Sequence, residues 1–198
     1  MMCDIQESLF ECSERRRLDE HAWLDIRSGW LSDGADLVGE LQSAVPWRAE
    51  RRRMYDRVLD VPRLVSFHDL TVADAPHPTI ARLRRRLNDI YAGELGEPFT
   101  SVGLCLYRDG GDSVAWHGDT IGRGATQDTM VAIVSVGATR TLALRPRGGG
   151  PALRLSQRHG DLVVMGGSCQ RTWEHSIPKT AAPTGPRISI QFRPRGVR

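Results

Sequence analysis

Lysine is almost missing from this chain: of 27 basic residues only Lys179 is one, and the rest are arginine. Positive charge is therefore carried by planar guanidinium forks, which suit carboxylate and phosphate oxygens. Cysteine is scarce too. Cys3, Cys12, Cys105 and Cys169 form no C-x-x-C pair, which argues against a zinc knuckle or a disulfide framework and leaves reduced thiols as the plain reading. No apolar run approaches the roughly 20 residues that span a bilayer. The segment "MMCDIQESLFECSERRR" has no apolar core of a secretory signal. No membrane partner is expected, and the expected location is cytoplasmic.

What the chain does have is enough length, 198 residues, for one domain with a substantial core and a small N-terminal extension. The net charge of +3 is modest, yet arginine triplets stand at Arg15 to Arg17, Arg51 to Arg53 and Arg84 to Arg86. Each suits phosphate, and each equally suits a solvated helix face.

"AWLDIRSGWL" alternates like a strand, and Leu37, Val38, Leu41, Ala44 and Val45 then repeat with helical spacing up to Pro46. After Pro76 and Pro78, an apolar stripe of Ile80, Leu83, Leu87, Ile90 and Tyr91 predicts a second helix ending near Gly93 to Gly96. From residue 100 the period becomes two. Short apolar runs at 100–107, 113–117, 130–137, 139–145, 152–155, 161–165 and 187–193 are separated by Gly, Pro and Asp clusters. Many short strands predict a sandwich or barrel with helices packed outside it.

Two His-x-Asp pairs compete for attention. In "SVAWHGDTIGR" a strand would put His117 and Asp119 on one face, where both could meet one ion. In "LSQRHGDLVVM" the Gly160-Asp161 step reads as a turn launching the next strand, with His159 a loop histidine. A facial iron site needs two His and one carboxylate, with open positions left over. His175 in "RTWEHSIP" is a candidate third ligand, although a histidine so placed is, on its own, more often structural or in a loop. In "PRISIQFR" the residues Arg187, Ser189, Gln191 and Arg193 share one face. That face is either a charged edge strand or a clamp for the two carboxylates of a small diacid.

Taken in order, "LCLYRDGGDSVAWHGD", "IVSVGATRTLALRP", "GDLVVMGGSCQRTWEHSIP" and "PRISIQFR" resemble the AlkB-type iron(II) and 2-oxoglutarate dependent dioxygenases over residues 100 to 195. Upstream, "SGWLSDGADLVGELQSAVPWR" and "VPRLVSFHD" resemble the family's N-terminal part, a lid over the substrate groove. The resemblance implies a mainly β fold with flanking helices: a double-stranded β-helix, or jelly roll, at residues 100–198. Residues 1–99 would be an extension and nucleotide-recognition lid, and the whole one structural unit.

By the same resemblance, His117, Asp119 and His175 would hold Fe(II) and so form the catalytic centre. Arg187 and Arg193 would bind 2-oxoglutarate, helped by Tyr107. Cys105 and Ser189 stand beside the co-substrate where the family commonly has Asn. With O2, the implied reaction oxidises an N-methyl group, yielding succinate, CO2, formaldehyde and the restored base. The implied substrate is an alkylated base, 1-methyladenine or 3-methylcytosine, flipped out of a nucleic acid. Phe67, His68 and Trp173 would be its flat walls, Arg140 a pocket residue, and Arg51, Arg52, Arg53 and Arg63 phosphate contacts. Where repair enzymes of this type often carry an acidic residue after the His-x-Asp pair, "HGDTIGR" has Ile121 and Gly122. DNA is the expected polymer, RNA or tRNA the alternative, and a non-catalytic jelly-roll binding protein the distant one. A monomer is expected.

Overall fold

The computed structural model describes residues 12–32, 36–54 and 57–197, and within these the side chains of all but residue 12 and residues 50–60. Two antiparallel sheets carry the architecture. The larger contains β1 (Cys12–Arg17), β2 (Ala22–Ser28), β3 (Arg48–Met54), β4 (Arg57–Asp69), β5 (Phe99–Tyr107), β7 (Val131–Gly137), β10 (Leu162–Gly167) and β12 (Arg187–Pro194). Its strand order is β1-β2-β10-β7-β12-β5-β4-β3. The smaller contains β6 (Val114–His117), β8 (Arg140–Pro146), β9 (Leu153–Gln157) and β11 (Trp173–Ile177), in the order β6-β11-β8-β9. The helices are α1 (Leu37–Ala44), α2 (Pro78–Leu95) and the four-residue α3 (Cys169–Thr172). The alternating pattern predicts this sandwich of short strands with helices outside it, and the jelly roll is the form that the resemblance implies.

The alternation divides the larger sheet into two chemistries. Along β12, Ile188, Ile190 and Phe192 point to one face, where Leu104 and Leu106 of β5 and Val134 and Val136 of β7 join the core beneath α1 and α2. The opposite face meets the smaller sheet: Tyr107, Ile133, Val163 and Met165 cluster with Leu142, Leu144 and Ile177. A strand apolar on one side and arginine-bearing on the other is thus built into both a core and a cavity.

Helix α2 begins where His77 Nδ1 accepts the backbone N–H of Thr79 at 3.3 Å, with Pro78 in the first turn. It ends at Gly96, whose φ of 78° is a left-handed cap. Ile80, Leu83, Leu87 and Tyr91 are buried, but Ile90 lies outside the stripe and is exposed, because Tyr91 takes the core-facing position of that turn. Two of the three arginines of the triplet beside the stripe are committed to the protein. Arg84 donates to the Leu70 carbonyl at 2.8 Å and Arg86 to that of Trp30 at 2.7 Å.

Strand β1, the β3–β4 hairpin and the short α3 are absent from the sequence expectations. β1 and β3 are edge strands rich in arginine, a composition that hides the apolar alternation of a strand while protecting its open edge. Arg15 of β1 forks onto Glu94 at 2.8 and 3.0 Å and stacks over Trp23, so that triplet is also partnered within the fold.

Candidate metal centre and co-substrate pocket

Strands β6 and β11 lie side by side with His117 opposite His175, which places the two imidazole centroids 4.2 Å apart. Asp119 completes the group, and one ligand atom from each of the three residues lies within 4.8 Å of the others. Among the described residues no other three His, Cys, Asp or Glu side chains meet in this way. The strand ends at His117, so Asp119 is not placed by strand alternation alone. Its backbone N–H donates to Gln170 Oε1 of α3 at 2.8 Å. Between the two ligands stands Gly118, where a Cβ would come within 2.3 Å of the Gln170 carbonyl oxygen. Only glycine fits a chain that passes so close to α3.

Each ligand is in its metal-binding protonation state. His117 Nδ1 lies 2.9 Å from the Ala115 carbonyl, an acceptor only, so Nδ1 carries the proton and Nε2 is left with a free lone pair. Burial pushes the His175 imidazole down to about 3, and burial likewise lowers His117. Burial alone would raise Asp119, but the Arg193 guanidinium beside it wins and holds the carboxyl at about 2. The second pair plays no such part: His159 Nδ1 accepts from Gly137 N–H, and Asp161 accepts from Gly29 and Arg158 N–H in a turn.

The centre opens on a cavity of about 1500 Å³ between the sheets. Its wall on the larger sheet is a ladder of paired residues. Tyr107 faces Arg187, Cys105 faces Val65 and Ser189, Gly103 faces Phe67 and Gln191, and Ser101 faces Arg193. Arg187 is 1% exposed, and its Nε donates to Ser135 Oγ at 2.8 Å. Its Nη1 and Nη2 have no partner. A buried guanidinium with its fork unbonded calls for a carboxylate. Arg193 donates through Nε to Asp119 Oδ2 at 2.7 Å and through Nη2 to Gln191 Oε1 at 2.6 Å. Gly103 gives it room, because a Cβ there would sit 2.9 Å from Arg193 Nη1. Tyr107 is buried and its phenol is pushed up, first by burial, so it is a neutral O–H donor.

The other expected site residues divide. Phe67, His68 and Arg63 line the cavity, Phe67 being 48% exposed at its rim. Two residues placed at the substrate by resemblance lie elsewhere. Trp173 is outside the lining, and its indole N–H is spent on Asp19 Oδ2 at 2.7 Å. Arg140 is buried and donates to the carbonyls of Asp109, Asp112 and Pro178, all at 2.8 Å, so it clamps the loops leading into β6 and out of β11. The side chains of Arg51, Arg52 and Arg53 fall outside the described residues. Sequence reasoning missed Gln170, Gly103 and Lys179, the last an exposed residue on the cavity lining. Gln191 was visible only as a polar step on the β12 face.

Two histidines and a carboxylate that leave room for other ligands, set against a cationic pocket inside a jelly roll, define a non-haem iron oxygenase centre. Residues 35–193 match the 2OG-Fe(II) oxygenase superfamily, and the chain belongs to it. That family works with Fe(II), 2-oxoglutarate and O2, and the residues here fit both groups. The three ligands are neutral, neutral and ionised, and the Arg187 fork awaits a carboxylate. Its relatives are AlkB homologues. Alpha-ketoglutarate-dependent dioxygenase alkB homolog 3 of Homo sapiens is 29% identical over 187 residues, which cover 81% of this chain and 63% of that protein. DNA oxidative demethylase ALKBH2 of Arabidopsis thaliana is 31% identical over 188 residues, covering 77% and 59%. The chain thus spans about three fifths of the length of these curated relatives. The structure of OsALKBH1 superposes with a TM-score of 0.60 at 13% identity, over 92% of this chain and 100% of that one, which is a likeness of fold.

Proposed function

We propose that the protein removes alkyl groups from the pairing edge of nucleobases in DNA, 1-methyladenine and 3-methylcytosine being the first members to test. In this reading His117, Asp119 and His175 hold iron(II), which supplies the oxidising power drawn from O2 and 2-oxoglutarate. One co-substrate carboxylate lies on Arg187 and Tyr107, the other on Arg193, with Cys105 and Ser189 between them on the ladder. With 2-oxoglutarate and O2 held there, the centre would supply the two-electron oxidation of N–CH3 to N–CH2OH, with succinate and CO2 as co-products, and loss of formaldehyde would leave N–H.

The observation that carries this reading is the buried Arg187 guanidinium, which shares the cavity with the His-Asp-His group and has no carboxylate partner in the fold. Nucleic acid enters through the relatives, one of them called a DNA oxidative demethylase. Phe67 and His68 serve as walls for a flipped base. The β3–β4 hairpin, in residues 1–99, serves as the lid over it. RNA is the second reading, since aromatic walls suit a flipped base of either polymer.

The test is purified protein with iron(II), ascorbate and 2-oxoglutarate, given matched DNA and RNA oligomers carrying 1-methyladenine or 3-methylcytosine. Methyl loss is read by mass spectrometry. Demethylation of DNA that requires 2-oxoglutarate and vanishes in His117→Ala is the expected result. Intact oligomers with continued 2-oxoglutarate consumption would sink the substrate assignment, and action on RNA alone would hand it to the second reading.

A further inference from the structure

The diacid co-substrate accounts for two cations of the cavity wall, Arg187 and Arg193, and leaves a third unexplained. Arg63 sits on β4 one step beyond the Leu64–Leu106 pair, on the face shared with Val65 and Phe67, which brings it level with Tyr107. The loop leading into β6 is tied to that point, for Ser113 N–H donates to the Pro62 carbonyl at 2.8 Å. Arg63 Nη1 reaches the Ser113 carbonyl only at 3.5 Å. Its Nε is buried and has no acceptor. Arg63, Tyr107 and His117 line the same cavity.

The charge around it is one-sided. With Arg187 and Arg193 taken by the diacid, Arg48, Arg63 and Lys179 remain on the cavity lining, and Asp119 is the only carboxylate among the described lining residues. That carboxylate is bonded to Arg193. At the rim the chain offers apolar surface instead, Phe67 and the 69% exposed Ile121. A base that carries a positive charge and an exocyclic amino group, as 1-methyladenine and 3-methylcytosine do at neutral pH, finds cations here and no carboxylate but the one held by Arg193. An N-methylated base that stays neutral and presents a carbonyl oxygen finds the Arg63 guanidinium, whose bond to the Ser113 carbonyl is 3.5 Å long.

We infer that the cavity selects neutral, keto-bearing N-methyl lesions, the 3-methylthymine and 1-methylguanine type, over cationic amino-bearing ones, with the Arg63 guanidinium donating to the keto oxygen. The inference rests on the nucleobase-dealkylation reading above and narrows it. A site with a buried donor rejects the analogue that cannot accept, by about tenfold or more.

The test is a competition in one reaction among four oligomers that differ only in the lesion: 3-methylthymine, 1-methylguanine, 1-methyladenine and 3-methylcytosine. It is run with wild type, Arg63→Met and Ile121→Glu, and fluorescence anisotropy measures binding of the same oligomers without turnover. Wild type should favour the keto pair, and Arg63→Met should shrink that ratio about tenfold. Ile121→Glu, at an exposed position, should tilt it towards the cationic pair. Preference of wild type for the amino pair overturns the inference. So does an equal loss on all four in Arg63→Met, which would make Arg63 a phosphate contact. If no lesion is turned over while 2-oxoglutarate is consumed, the dealkylation reading fails. The anisotropy ratio then still decides between keto and amino recognition.

Discussion

Replacing Arg187 by methionine should weaken 2-oxoglutarate binding while leaving the empty protein at least as stable as before. The side chain is buried to 1% exposure, with one hydrogen bond to Ser135 and two guanidinium nitrogens unbonded. An unsatisfied buried donor costs about 1–3 kcal/mol, more when charged, and the Ser135 bond returns only about 1. Methionine fills similar space without charge, so the substitution should be neutral or stabilising in the absence of co-substrate. A gain of about 1 kcal/mol would raise Tm by about 2–4 °C in a chain of this size. With co-substrate the balance reverses. Two charge-assisted bonds to a carboxylate contribute about 3 kcal/mol or more, so the dissociation constant should rise at least about a hundredfold. Calorimetric titration of 2-oxoglutarate and thermal denaturation of the apo protein, run side by side, measure both quantities. Affinity kept within fivefold, or an apo Tm lowered by several degrees, would refute the argument that this guanidinium is held in reserve for a ligand.

Gly118→Ala should fold but bind iron(II) at least about tenfold more weakly, because its Cβ would meet the Gln170 carbonyl at 2.3 Å and push Asp119 off its place; equilibrium iron titration checks this. Arg140→Met should cost about 3 kcal/mol or more in a urea unfolding curve, since three backbone carbonyls lose a buried cationic donor. The metal-free protein should also be acid-sensitive. His175 has a folded value near 3 against an ordinary 6.5, so its neutral form is favoured by folding. The stability is fully present above about pH 6.5 and falls as the pH drops towards 3, by up to about 1.4 kcal/mol per pH unit. His117, lowered in the same direction, adds to the slope. Urea unfolding at pH 7, 6 and 5 should show the decline, and His175→Asn should flatten it; a level profile in the parent protein would contradict the burial argument.

The β-sandwich was legible because its strands alternate cleanly, and the jelly-roll form and the ligand set because His117, Asp119 and His175 sit in strings that a family shares. What stayed hidden was hidden for physical reasons. β1 and β3 carry so many arginines that edge protection masks their period of two. Trp173 opens the strand that carries His175, close enough in sequence to suggest the pocket, yet its indole N–H finds Asp19, 154 residues away. Arg140 was read as a pocket residue because sequence does not say whether a guanidinium faces ligand or carbonyls. Gln170 acts through a contact 51 residues distant, which no local pattern announces.

The two sides of β12 hold unlike cargo: Ile188, Ile190 and Phe192 on one, Arg187, Ser189, Gln191 and Arg193 on the other. A slip of one residue in its pairing would carry guanidinium groups into the oily layer under the helices and leave isoleucine facing the iron ligands. Misalignment is thus penalised twice, by buried charge and by lost apolar contact. The residues that perform the chemistry double as a proofreading device for assembly, so a population of folded molecules is also a population of correctly registered sites.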